Sequence, residues 1–201
     1  APCPAGGPAP GRDSAPGGKP APGGPPAPKG PLRKEHHSMS EEKTNVMRVL
    51  DQKKIPYTPH SYPHQEGEAV DGATVAAMLG RDPADVFKTL VTRGASKANY
   101  VFVVPVLAEL DLKKAAKAVG EKSIELIHVK ELTPLTGYVR GGCSPIGMKK
   151  RLRTVIDASA QGRSAILVSA GKIGYQVELA PEALAGLVGA AFAPIVKDGA
   201  A

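Results

Sequence analysis

The chain has no tryptophan, aromatic residues make up only 4% of it, and it holds two cysteines among 201 residues. With so few rings, a base-stacking platform of the RNP type has little to be built from. Cys3 and Cys143 cannot form a disulfide framework, and neither belongs to a CxxC pair, so a structural zinc site and a dithiol redox motif lack support. A reducing cytoplasm is the natural setting for such cysteine usage. No run of about 18 apolar residues occurs, which excludes a membrane-spanning helix. The first residues lack the basic start and apolar stretch of a secretory signal. GxGxxG after a strand, GxxxxGK[ST], GxSxG and HExxH are all missing, and with them the usual nucleotide, serine-hydrolase and zincin sites.

What is present is uneven. Residues 1–31 contain 11 Pro and 8 Gly, and apart from Leu32 no large aliphatic residue precedes Met39. Such a segment buries too little apolar surface to offset its ordering entropy, so residues 1–38 are expected to be a disordered Pro/Gly-rich tail. Its origin is open between a natural extension, an appended segment and translation from upstream of Met39. The tail holds five basic and two acidic residues of the chain's 26 and 19, leaving 21 and 17, or +4, for residues 39–201. That mild excess suits transient contact with a polyanion.

Residues 39–201 have the length of one domain. Val46, Val49 and Leu50 share one face of a helix over 44–54, ended by Pro56. A short strand over 57–62 sits beside Pro59 and Pro63, which place it at an edge. Asp71 or Thr74 caps a helix reaching Leu79, closed by Gly80. Two β-branched runs, 86–92 and 100–106, flank a polar turn and read as a hairpin. Asp111 caps a helix over 112–119, with Lys113, Lys114 and Lys117 outward and Gly120 closing it. Short strands follow near 124–127, 154–157, 165–169 and 175–179, and Pro181 starts a final Ala/Leu helix. Without regular βαβ alternation, the expected class is α+β, a single domain with a mixed, mostly antiparallel sheet.

Three features invite chemistry. His60 and His64 are four apart, but Pro63 lies between them, so two half-exposed loop histidines are expected rather than a metal pair. Lys88 interrupts a segment otherwise suited to a buried strand. Alternation puts it with Val86 and Leu90 on one face and Phe87, Thr89 and Val91 on the other. Two readings stand: an inward lysine awaiting a phosphate or carbonyl oxygen, or an edge-strand lysine opposing aggregation. Finally, residues 136–148 form a glycine-rich loop followed by the cations Lys149, Lys150, Arg151 and Arg153. Its backbone can approach a ligand closely, or it is a tight turn beside a solvated charge run.

Taken together, Phe-Lys-Thr-Leu at 87–90, Leu-Asp-Leu-Lys-Lys at 110–114, Thr-Gly-Tyr at 136–138, Gly-Gly-Cys-Ser-Pro-Ile-Gly at 141–147, Lys-Lys-Arg-Leu at 149–152 and Ser-Ala-Gly-Lys at 169–172 resemble the YbaK/EbsC group of aminoacyl-tRNA editing proteins. The resemblance is greatest to its free-standing Cys-tRNA(Pro) deacylases and runs from about Thr44 to Val196. It implies a barrel-like mixed sheet flanked by helices, as in the related editing domain of bacterial prolyl-tRNA synthetases. It also implies removal of cysteine from mischarged Cys-tRNA(Pro), and from Cys-tRNA(Cys), in the cytoplasm. No cofactor or metal is implied, prolyl-tRNA synthetase is the expected partner, and neither DNA nor a membrane is one. A synthetase pocket separates molecules differing by about a methylene only ~10–200-fold, which is why a second, editing site is needed. The family's reaction uses the substrate's own thiol, which attacks its carbonyl and leaves as a thiolactone, so no enzymic nucleophile is required.

Carried over by position, Lys88 matches the essential lysine, facing the 3′-terminal phosphate or ribose and the ester. Thr89 lines the same pocket, and Tyr62 matches a tyrosine near the substrate. Gly141, Gly142 and Ser144 match the loop whose amides would hold the developing oxyanion, and Lys172 is a candidate RNA contact. Lys149, Lys150, Arg151 and Arg153 would steer the acceptor stem. Some relatives carry an aromatic in the pocket wall where this chain has Asp71 beside Gly72. Cys143 is expected to be a small buried residue and not a nucleophile. The alternatives are a hydrolytic deacylase of Ala-tRNA(Pro) or another mischarged tRNA, with Lys88 positioning water, and a non-catalytic tRNA- or synthetase-binding module.

Overall fold

Polar ends and apolar, β-branched middles fold 86–106 back on itself. In the computed structural model, which describes residues 43–199, this segment forms the centre of a sheet. The expected tail falls outside the described residues. Strand β2 (Phe87–Gly94) pairs antiparallel with β3 (Asn99–Pro105), with Lys88 opposite Val104. Strands β4 (Ile124–Leu126), β5 (Arg153–Asp157) and β8 (Ala191–Ala193) complete five strands in the order β4-β2-β3-β5-β8. Strands β1 (Thr58–Ser61), β7 (Tyr175–Leu179) and β6 (Ile166–Ser169) make a second sheet in the order β1-β7-β6. The two sheets meet where Val86 bridges Leu167, in front of β2.

Four of the six strand pairings are antiparallel, and only β3–β5 and β5–β8 are parallel. The class is α+β with mixed sheets, as expected, but the single barrel-like sheet resolves into two. The expected edge strand is β1, at the border of the smaller sheet.

The helices follow their sequence signals. Helix α1 (Asn45–Gln52) is capped by Thr44, whose hydroxyl accepts from the Met47 N–H, and it buries Val46, Met47 and Leu50. Asp71 caps α2 (Gly72–Met78), and Asp111 caps α3 (Leu112–Val119), each accepting from two backbone N–H groups. Pro181 opens α5 (Pro181–Val188). The sequence reading missed two elements. Helix α4 (Val129–Thr136) carries Pro134 inside it, a residue that argues against a helix; Glu131 holds its start by accepting from the His128 N–H at 3.3 Å. Strand β8 has only three residues and gains its pairing from β5.

Val101, Val103 and Phe87 face a core shared with α1, β6 and β7, while Phe102 and Val104 face a second cluster under α3. The strand alternation of β2 and β3 thus feeds two cores, one on each face of the larger sheet.

Candidate functional site

The ladder of β2 leaves a gap. On the side away from β3 it pairs with β4 only from Thr92 onward, and the bridge to β6 ends at Val86. Along that uncovered edge lies a cavity of about 200 Å³. Because it wraps the edge and not one face, residues of both faces reach it, including Lys88 and Thr89 together.

Lys88 is partly buried, and its Nζ donates to the Val106 carbonyl oxygen at 3.0 Å. Burial pushes its ammonium below the usual lysine range, and the carboxylate of Glu109 opposes that shift. Strand β2 is interior only where β4 pairs with it, from Thr92 onward; Lys88 lies on its uncovered stretch, partly buried in the cavity lining. Val106 is held in turn by its N–H to the Val86 oxygen at 2.9 Å and by the close approach of Gly72, where a Cβ would collide with the Val106 side chain. The Asp71–Gly72 departure therefore has a structural account: Asp71 caps α2, and Gly72 lines the cavity.

Tyr62 is 5% exposed, lines the cavity and is anchored by its N–H to the Gly174 oxygen at 2.9 Å. Gly141 lines it too, at φ +83°, with Ala69 only 2.7 Å from where a Cβ would stand. The rest of the predicted loop set does not. The N–H of Gly142 is spent on the Val139 oxygen at 3.0 Å, closing a turn. Ser144 is fully buried outside the cavity, its hydroxyl accepting from the Ile146 N–H at 3.3 Å. The Tyr138 hydroxyl donates to the Ile146 oxygen at 2.7 Å and fixes this loop from beneath. Cys143 is 8% exposed in the cavity wall, and burial pushes its thiol up to about 12, so thiolate is scarce near neutrality.

The cationic cluster divides. Lys150 and Arg151, joined by Lys53, rim a separate groove of about 310 Å³ with an apolar floor that includes Val49, Ile146 and Leu152. Lys149 lies over Gly137. Arg153 instead donates to the Val119 and Ala118 oxygens at 3.1 and 3.4 Å, capping the end of α3. Lys172 places its Nζ 5.5 Å from the Tyr175 ring centroid, outside the cavity lining. His60 lies in β1, not in a loop, at 2.7 Å from a Glu178 carboxylate oxygen that Arg81 also holds, while His64 contacts the Tyr62 oxygen at 3.2 Å.

Sequence reading missed Gln176, Arg140 and Ser169 in the wall. The short strand expected over 175–179 has no faces assigned from sequence, and alternation there sets Gln176 with Glu178 opposite the apolar Tyr175, Val177 and Leu179. Gln176 looks into the gap between the sheets, and it is 7% exposed. Its Oε1 and the Oγ1 of Thr89 are buried without a hydrogen-bond partner.

A small pocket at a sheet junction, with one partly buried lysine and unpaired acceptors, suits a compact polar ligand. The chain matches the Aminoacyl-tRNA editing domain family over residues 66–187. It is 49% identical over 156 residues, 78% of this chain and 94% of the relative, to an Enterococcus faecalis protein named as a candidate Cys-tRNA(Pro)/Cys-tRNA(Cys) deacylase, EbsC. Among solved structures, it resembles a candidate trans-editing enzyme for prolyl tRNA synthetase (TM-score 0.66, 24% identity, 76% of this chain and 94% of that one). It resembles hypothetical protein APE2540 equally in fold (TM-score 0.68, 22% identity, 76% and 99%). The chain belongs to the aminoacyl-tRNA editing domain family. Its activity is that class's: deacylation of an aminoacyl-tRNA. No helix among the described residues is long and apolar enough to cross a membrane.

Proposed function

We propose that this chain is a trans-editing deacylase that removes cysteine from mischarged Cys-tRNA(Pro), and also from Cys-tRNA(Cys), by substrate-thiol cyclisation. The observation that carries this reading is what lines the cavity: a half-buried lysine, and among the lining residues neither a histidine nor a carboxylate to serve as base. Its one thiol, Cys143, is pushed to about 12 and makes a poor nucleophile. The nucleophile then comes with the substrate. The cysteinyl sulfur attacks its own ester carbonyl, the C–O bond to the ribose breaks, and the thiol proton ends on the departing ribose oxygen. A β-thiolactone and uncharged tRNA are released.

In this scheme Lys88 stands at the ester and its developing negative charge, and Tyr62, Thr89 and Gly141 shape the pocket. A volume of about 200 Å³ has room for an amino acid at the end of its ester. The Gly142 N–H is not part of the proposed oxyanion site, because it is engaged within the loop, and Ser144 is fully buried outside the cavity lining. Lys53, Lys150 and Arg151 are the cations proposed to meet the acceptor stem, a contact that weakens with salt. Lys172, beside Tyr175 and away from that groove, keeps only a peripheral place, and Arg153 a structural one. Residues 39–201 form the proposed editing domain. It would act in the cytoplasm and take its tRNA selectivity from prolyl-tRNA synthetase.

The test is deacylation of Cys-tRNA(Pro), Ala-tRNA(Pro) and Pro-tRNA(Pro) side by side, with product identification. Loss of cysteine alone, as thiolactone, is the expected result. Free alanine from Ala-tRNA(Pro) would replace the substrate and make the reaction a hydrolysis. Turnover of none, with tRNA still bound, would leave a binding module. A second expectation concerns the buried thiol: Cys143→Ala keeps more than about a third of wild-type turnover, since the wall and not a nucleophile is changed. Loss of activity in that variant, with its Tm unchanged, would return the thiol to the reaction.

A further inference from the structure

Two acceptors in the cavity have nothing to accept. Gln176 stands in β7 opposite His60 of β1 and Ser169 of β6, and Thr89 stands in β2, on the other sheet. The Gln176 Oε1 and Thr89 Oγ1 are both buried and unpartnered, and both residues line the same space. A buried acceptor left without a donor is destabilising, so a fold that keeps two at one cavity is poised for a ligand that donates. The nearest acid on that face of β7, Glu178, is engaged by His60 and Arg81 and does not line the cavity.

The lining thus offers neutral acceptors and the positive groups of Lys88 and Arg140, with no carboxylate. An aminoacyl ester brings few donors into such a space. The ribose hydroxyl supplies one O–H, and a thiol S–H is a weak donor. The α-amino group supplies at least two N–H, enough for one acceptor from each sheet.

We propose that Gln176 and Thr89 together bind the α-amino group of the substrate's amino acid, and so fix the rotation that sets the side chain against the ester carbonyl. This rests on the aminoacyl ester occupying the Lys88 cavity. It makes Gln176 and Thr89 substrate-positioning residues shared by any aminoacyl ester the cavity admits, whichever side chain it selects.

The test is equilibrium binding by calorimetry to the full chain, with two non-reactive probes. One is 3′-cysteinylamido-3′-deoxyadenosine; the other is its 3-mercaptopropionyl counterpart, which differs only in lacking the α-amino group. Wild type is expected to prefer the amine roughly tenfold or more. Gln176→Leu and Thr89→Val each reduce that ratio several-fold, and Gln176→Glu restores or exceeds it, while circular dichroism confirms folding of every variant. A merely structural role would lower both affinities together and leave the ratio alone. Equal binding of both probes by wild type, no binding of either, or an unchanged ratio in both Gln176→Leu and Thr89→Val overturns the assignment. Equal binding alongside rapid Cys-tRNA(Pro) deacylation leaves the proposed reaction standing without it. An intact amine preference with no cysteine released sinks the cysteine reading and keeps this one.

Discussion

Lys88→Met is expected to lower deacylation of Cys-tRNA(Pro) by about 10²–10³-fold, the usual consequence of removing one preorganised donor from a developing oxyanion. In the proposed role the ammonium meets charge that appears only in the transition state, so the loss should fall mainly on kcat. Stability should move the other way. Burial holds the Lys88 ammonium below its ordinary pKa, so the unfolded chain binds this proton more tightly than the folded one. Protonated Lys88 therefore destabilises the fold at neutral pH. That deficit is relieved as pH rises through the lowered pKa toward the unfolded value of about 10.4. Lys88→Met should be at least as stable as wild type at pH 7, with its advantage shrinking as pH rises through the lowered pKa toward the unfolded value. Urea titrations of both proteins across that range, beside single-turnover assays, check both halves. A variant that is both inactive and strongly destabilised at pH 7 would mean that the lysine holds Val106 and α2 in place and does no more.

Phe102→Ala is expected to cost about 3–5 kcal/mol, lowering Tm by roughly 6–20 °C. Phe102 is completely buried in β3, between Leu90 of β2 and Val155 of β5, and packs into the cluster of Ala115, Val119 and Ile195. No neighbouring helix can collapse into the void without leaving α3's own contacts. Since total stability is ordinarily about 5–15 kcal/mol, this variant should sit near the edge of folding at 37 °C. Its side chain points away from Val101 and Val103 and packs beside Leu90, which also lines the Lys88 cavity, so the void loosens one wall of that cavity as well. Deacylation per folded molecule at 20 °C should fall through the loosened Leu90 wall, but by far less than in Lys88→Met. Thermal melts and active-site-normalised rates measure the two quantities separately.

The arrangement of groups explains why parts of this protein could be read early. Asp71 and Asp111 announce their helices because a short acceptor at the first turn satisfies N–H groups within three residues. The hairpin at 86–106 and the closing glycines at 80 and 120 are equally local. Helix α4 escaped because Pro134 is a local signal that the surrounding contacts of Leu132 and Leu135 with the main core override. Lys88, Thr89 and Tyr62 stood out through a motif, whereas Gln176 belongs to no such motif.

The glycine-rich loop shows the other side of the division. Its composition announces a tight backbone, and Gly141 does reach the cavity, but nothing in the residue string tells which N–H groups stay free. That depended on Val139 and Ile146 folding back onto Gly142 and Ser144. Likewise Arg153 read as one more cation until α3 ended beside it. The chain's local chemistry settled the caps, turns, alternation and the lysine in a buried strand, because those effects act over a few residues. The cavity itself, its unpaired Gln176 and Thr89 acceptors and its lack of a carboxylate arise from two sheets meeting at one bridge. Side chains more than 80 positions apart share that space, and only packing decides which of them face one another.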